Sequence, residues 1–437
     1  MSEIPKVLKE SLTRALAGGP RSDFIAELLV HPVYSLASRI NTQHFEALVR
    51  RSAVSTQALH WNALLISIGV PQRLTVMCRG SLSALLIIKL ICFGKERVAK
   101  HILKHATCVM SRRHFVGLKE RIPKCVSELR GHSSYVNSVA FHPSAPYLAT
   151  GSNDRTAKLW LLNADCSAAT CVSTLEGHSN SVTSVAFHPS APYLATGSWD
   201  GTAKLWLLSK DGAVTCVSTL KGNSNYWVSS VAFHPSAPYL ATGSDDKTAK
   251  LWLLNADCSA ATCVSELRRQ RSCVNSVAFH PSAPYLATGG GDGTAKLWLL
   301  NADCSAATCV STLQGHSGSI LSVSFHPSAP YLATSSNDKT AKLWLLSKDG
   351  AATCVSELRG HSRVVRSVAF HPSAPYLATG SDDGTAKLWL LNADCSAATC
   401  VSTLQGQYSD FVFSVAFHPS APYLATGSDD NTAKLWR

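Results

Sequence analysis

From residue 125 onward, apolar and polar residues alternate in short runs, each closed by a turn signal. VNSVAF (136–141) reads as an alternating strand, HPSAP as a turn, YLATGS as a second strand, and a DRT-type turn leads into TAKLWLL. A further turn, NADCSAAT or SKDGA with its Asp-Gly, precedes CVSTL. The pattern predicts four antiparallel strands per unit. SVAFHPSAPYLAT occurs seven times with one change, Ser324 for Ala, and each copy runs on to TAKLW. The tryptophans Trp160, Trp206, Trp252, Trp298, Trp344, Trp389 and Trp436 are spaced by 46, 46, 46, 46, 45 and 47 residues. A fixed period of this size means units that bury a core only when stacked. Four-stranded units arranged this way are the blades of a β-propeller.

Counting strands predicts closure. The array opens with CVSEL at 125–129, an outer-strand sequence with no blade before it, and stops at Trp436-Arg437 on a third strand. Each orphan completes the other, so blade seven takes its outermost strand from residues 125–129 and no sheet edge is left at the join. The expected fold is an all-β propeller of seven blades over 125–437, with a smaller, mostly α-helical region over 1–124.

With Gly-His before the first strand, Asp in the second turn and Trp in the third strand, residues 125–437 resemble WD40 repeats. In that family a His, a Ser or Thr, an Asp and the Trp form a buried hydrogen-bonded network in each blade. The resemblance assigns these roles in blade one to His132, Thr150 (or Ser152, on the same face), Asp154 and Trp160. Further members are His178, Asp200 and Trp206; Asp246 and Trp252; Asp292 and Trp298; His316, Asp338 and Trp344; His361, Asp383 and Trp389; and Asp430 and Trp436. Asn223, Gln270 and Gln407 stand where blades three, four and seven should have the histidine, and Trp-Leu replaces Trp-Asp in blades one to six. A half-satisfied buried network is costly, so these three blades are expected to be softer.

Chemistry that an enzyme would need is hard to find in the propeller. Of 17 histidines, seven belong to FHP, four to the network, and six (His31, His44, His60, His101, His105, His114) precede the repeats. A residue present in every blade belongs to the architecture, because an active site is needed once. Asp-Asp pairs at 245/246, 382/383 and 429/430 read as solvated turns containing the structural aspartate. Cys-x4-Cys pairs (166/171, 258/263, 304/309, 395/400) flank one hairpin each on separate blades, which suits a small buried hydrophobe better than zinc. No GxxxxGK[ST] phosphate loop occurs. No enzyme activity, cofactor or metal is expected.

Differences among the copies gather at one end. HPSAP is invariant, whereas differences gather beside Gly-His and immediately before the structural Asp. Seven unrepeated aromatics all fall there: Tyr135, Trp199, Tyr226, Trp227, Tyr408, Phe411 and Phe413. They belong to blades one, two, three and seven, with Phe413 placed where it could turn toward the core. Blades four to six offer Arg269, Arg271, Lys339, Arg363 and Arg366, a basic arc opposite the aromatic one. Aromatics and Arg dominate binding hot spots. The expected partner-binding rim therefore comprises Tyr135, Trp199, Tyr226, Trp227, Arg271, Arg363, Arg366, Tyr408 and Phe411, and its partner is a protein or peptide. Near-identical copies varying on one face also resemble the WD-repeat sensor regions of signalling NTPases, although no NTPase is present here.

Charge separates the two regions. Residues 1–124 hold 19 Lys+Arg against 7 Asp+Glu, and 125–437 hold 21 of each, so the whole net charge of +12 lies before the propeller. Lys95, Arg97, Lys100, Lys104, Arg112 and Arg113 make a polyanion footprint for nucleic acid or an acidic surface, set against the plainer reading of a solvated helix face. The apolar stretch at 81–94 is too short to span a bilayer and contains Lys89. MSEIPKVLKESL is not a secretory start, and 15 cysteines at mostly repeated positions suit reduced thiols in the cytoplasm or nucleus. The function expected is a protein-interaction scaffold or adaptor. A nucleic-acid-associated protein is the first alternative, and a substrate-recognition subunit of a ubiquitin ligase, for which no convincing F-box is present, is the second.

Overall fold

The computed structural model describes residues 123–437, apart from 210, 211, 223–225, 269, 348, 349, 393 and 407–409. The helical reading of 1–124, the basic cluster Lys95, Arg97, Lys100, Lys104, Arg112 and Arg113, and also Asn223, Arg269, Gln407 and Tyr408, lie outside the described residues.

Among the described residues, twenty-eight strands form seven antiparallel four-stranded sheets. Blade one consists of Val136–Phe141, Tyr147–Ser152, Ala157–Leu162 and Ala169–Leu175 from the axis outward, and the later blades repeat this order. Blade seven is completed by Cys125–Arg130, which pairs with Thr432–Trp436. Reciprocal backbone bonds of 3.0 Å between Lys124 and Arg437 extend the seam by one rung. The ring is closed as the strand count required.

Apolar material lies between blades, not within them. Ala149, Leu159 and Leu175 of blade one pack on Val182, Leu194 and Trp206 of blade two. The same set recurs around the ring, ending with Leu129, Ala425 and Leu435 against Val136, Leu148 and Trp160. Gly151 shows how close the sheets approach, since a Cβ there would lie 2.8 Å from Val182 Cγ1. Such stacking explains why no single unit could fold alone.

The innermost strand departs from simple alternation. VNSVAF buries Val136 and Val139, three residues apart. The cause is a β-bulge: Val136 pairs with Ser152 but Ser138 with Gly151, leaving Asn137 as the extra residue. All seven innermost strands share it, so Asn137, Thr183, Ser229, Asn275, Leu321, Arg366 and Phe413 occupy equivalent bulges. The next residue is serine in every blade, and it links the ring. Ser138 Oγ accepts the Val185 amide of blade two at 3.1 Å. The series continues through Ser184, Ser230, Ser276, Ser322 and Ser367 to Ser414, which accepts the Val139 amide.

The HPSAP end is equally regular. His142 Nδ1 accepts the amides of Ser144 and Ala145, fixing the turn. Its ring meets Phe187 of the next blade edge-on at 4.9 Å. Tyr193, Tyr239, Tyr331 and Tyr423 each donate a hydroxyl to an aspartate carbonyl in the following blade's outer turn.

Candidate functional site

The variable rim is held by the network beneath it. In blade one, Trp160 Nε1 donates to Thr150 Oγ1 (2.9 Å), which lies 2.7 Å from His132 Nε2, while His132 Nδ1 lies 2.7 Å from Asp154 Oδ2. A carboxylate only accepts, so Nδ1 carries the proton and Nε2 takes the threonine hydroxyl proton. Asp154 also accepts from Thr156 and from the Ser133 amide, pinning the two variable turns together. Ser152 serves those turns instead, donating to Ser134 O and accepting the Asp154 amide. Blades two, five and six repeat the relay through His178, His316 and His361.

Electrostatics follow from burial and these bonds. Burial would raise the carboxyls of Asp154 and Asp200, but hydrogen bonds from the histidines and from Thr156 and Thr202 outweigh it and hold both well below the usual range. Burial pushes His316 and His361 down against the opposing pull of Asp338 and Asp383, so the neutral imidazole is favoured.

Where the histidine is missing, lysine supplies part of the bonding. In blades one, two and six, the lysine of TAKLW reaches a threonine on the outermost strand, as Lys158 does to Thr174 at 2.9 Å. In blade three Lys250 lies 3.3 Å from Asp246 Oδ2 instead, and in blade seven Lys434 bonds Asp430. Blade four behaves differently. Gln270 Nε2 donates to Thr288 Oγ1 at 2.6 Å, while its buried Oε1 has no partner. TAKLW reads the same in every blade, but blades three and seven carry Glu266 and Glu128 opposite the lysine where blade one has Thr174.

On the rim itself, Trp199 stacks on Trp227 with ring centres 4.8 Å apart and planes inclined by 26°. Trp199, Trp227 and the adjacent Tyr226 remain 36%, 46% and 56% exposed. At the seam between blades seven and one, Phe413 lies 6.2 Å from Phe411 and 6.0 Å from Tyr135, which is 46% exposed. Phe413 sits at a bulge on the rim and is half-buried, not part of the inter-blade core. Arg363 lies over the Phe411 ring at 5.9 Å, and Arg366 over Phe413 at 5.5 Å. Arg366 also holds Asp382 with two bonds of 2.7 and 2.8 Å. The arginines of blade six thus adjoin the aromatics of blade seven and partly cover them. Arg271 is exposed, its amide 3.3 Å from Asp292 Oδ2. Burial and then the Asp410 carboxylate push Asp429 up.

The thiols divide by position. Cys166, Cys258, Cys304 and Cys395 are buried, whereas Cys171, Cys263 and Cys400 are exposed and Cys309 is intermediate, so only the first of each pair is a buried hydrophobe. Among the described residues no group of three or more His, Cys, Asp or Glu could hold a metal ion, and no helix is long and apolar enough to cross a membrane.

Residues 123–160, 169–206, 214–252, 261–298, 307–344, 352–389 and 398–437 match the family described as WD domain, G-beta repeat. Shorter stretches resemble named proteins. "Nuclear distribution protein nudF 1" of Talaromyces marneffei is 31% identical over 16% of this chain and 16% of its own length. "Nuclear distribution protein nudF 2" of Penicillium rubens is 36% identical over 14% and 13%. "Nuclear distribution protein PAC1" of Candida albicans is 45% identical over 9% and 8%. The matched stretches span no more than 16% of the length of any of these relatives.

Proposed function

The chain belongs to the WD40 family of WD-domain, G-beta repeat proteins, and on that premise we propose that its propeller is a non-enzymatic scaffold that binds a protein or peptide partner on the variable rim. The observation that carries this reading is the exposed Trp199–Trp227 stack with Tyr226 beside it. Two indoles held against each other in water present a large, rigid apolar surface at little further entropic cost on binding, which is the usual make-up of a hot spot. Tyr135 and Phe411 extend the surface toward blade seven, with Arg271, Arg363 and Arg366 as its polar boundary. The invariant HPSAP end is the passive face. The non-enzymatic part rests on repetition, since the titratable groups fixed by the fold recur from blade to blade. We place the scaffold in the cytoplasm or nucleus and treat residues 1–124 as a separate region that couples it to something else.

The test compares proteins captured by the full chain and by a variant carrying Trp199→Ala, Trp227→Ala and Phe411→Ala. Specific partners should be lost from the variant while its thermal unfolding stays close to that of the unaltered protein. Identical capture by a folded variant would falsify the rim assignment.

A further inference from the structure

Blade six contains a guanidinium docked on the rim within the chain itself. The residue before the structural aspartate is Asp382, and the bulge residue facing it is Arg366. Their paired bonds of 2.7 and 2.8 Å have the fork geometry that only arginine offers a carboxylate. The same guanidinium lies 5.5 Å from the Phe413 ring centre, so one cation is held by a carboxylate and an aromatic face together.

Blade three repeats the carboxylate of this arrangement, but the bulge residue of the following blade is Asn275 and not an aromatic. Asp245 occupies the position of Asp382, and the same backbone bond holds both: Asp382 N to Val364 O and Asp245 N to Trp227 O, each 3.0 Å. The facing bulge residue is Ser229, too short to reach as arginine does. Among the described residues no cation is paired with the Asp245 carboxylate. The bond to the Trp227 carbonyl sets the Asp245 backbone directly beside that of one member of the exposed indole stack. The blade seven aromatics, by contrast, already carry Arg363 and Arg366.

We propose that Asp245, Trp227 and Trp199 form a subsite for an arginine side chain of the partner, held as Arg366 is by a carboxylate and an aromatic face together, with the aromatic face supplied here from blades two and three. This rests on the rim being the docking face and names the chemistry recognised there. The carboxylate supplies the bidentate bond, and the indole stack supplies the π surface. A lysine ammonium would keep the charge but lose the fork.

The test is calorimetric titration of the full chain with tetra-arginine, tetra-lysine and tetra-glutamate peptides. Tetra-arginine should bind saturably, about tenfold more tightly than tetra-lysine, and tetra-glutamate should give no signal that depends on Asp245. Asp245→Asn and Trp227→Ala should each weaken tetra-arginine about tenfold, and Asp245→Asn alters one rim side chain outside the inter-blade core, so it separates recognition from folding. Equal affinity for the two cationic peptides, an unchanged affinity in Asp245→Asn, or no binding of tetra-arginine overturns the inference. If tetra-arginine is ignored while the triple rim variant still loses its partners, the guanidinium subsite falls and the rim reading stands.

Discussion

The two ends of the propeller are built on one ladder of strands yet treat substitution in opposite ways. At the HPSAP end each blade repeats the same turn, its histidine bonding two amides and touching the next blade's phenylalanine. At the other end the frame is the serine ring and the Trp–Thr bond, which recur in every blade just below the surface, while the histidine relay recurs in four of the seven. What stands on that frame differs in every blade, from Asn137 bonded to Asn153 in blade one to Arg366 on Asp382 in blade six. Fixing the backbone from beneath frees the side chains above it. Stability and recognition are thereby kept on separate residues.

That separation is exposed most sharply by a pair of tryptophan deletions. Trp344→Ala, in the frame, empties a buried site between blades five and four and removes the donor to Thr334, at a cost of about 3–5 kcal/mol in chemical denaturation. Trp227→Ala, on the rim, should fall within about 1 kcal/mol of the unaltered protein. Comparable losses from the two would erase the distinction.

Acid is the next test of the frame. His316 and His361 have folded pKa values below their ordinary ones, so their contribution is fully present above the usual histidine range and lost as pH falls through it. Asp154 and Asp200 are depressed as well, so a second loss follows as pH drops below the usual carboxylate range. Thermal unfolding followed from about pH 8 to about pH 1 should show a midpoint falling in two stages. Burial also holds the seven FHP histidines below their ordinary values, so they share this first stage. Replacing both His316 and His361 with Gln should shrink the first stage and leave the second, and an unaltered first stage would mean that the FHP histidines govern it.

The smallest effect concerns a difference among blades. Gln270→His restores a donor toward Asp292 and removes the orphaned Oε1, which should stabilise the chain by about 1 kcal/mol in equilibrium denaturation. A destabilised variant would show that blade four has been rebuilt around glutamine.

Period and strand order made the ring legible from the residues, including the closing strand now seen as Cys125–Arg130 on Thr432–Trp436. The bulge was hidden because VNSVAF passes for an alternating strand, and only pairing reveals that Asn137 is extra. Seven identical serines announced importance but not purpose, since each partner amide lies in the next blade. Of the rim, residue types could be read but not contacts. Nothing in the letters said that Trp199 meets Trp227, or that Arg363 and Arg366 lie over phenylalanines from another blade.

The shared sheet at the join also sets an order of assembly. During synthesis the first strand made is the last to find its partner, because residues 432–436 leave the ribosome only after six blades have had time to form. Until then the nascent ring is an open arc, with the closing strand unpaired and a blade face uncovered at each end, and blades of near-identical sequence compete for these surfaces. Final closure is therefore the point at which a neighbouring chain could be captured in place of the protein's own tail.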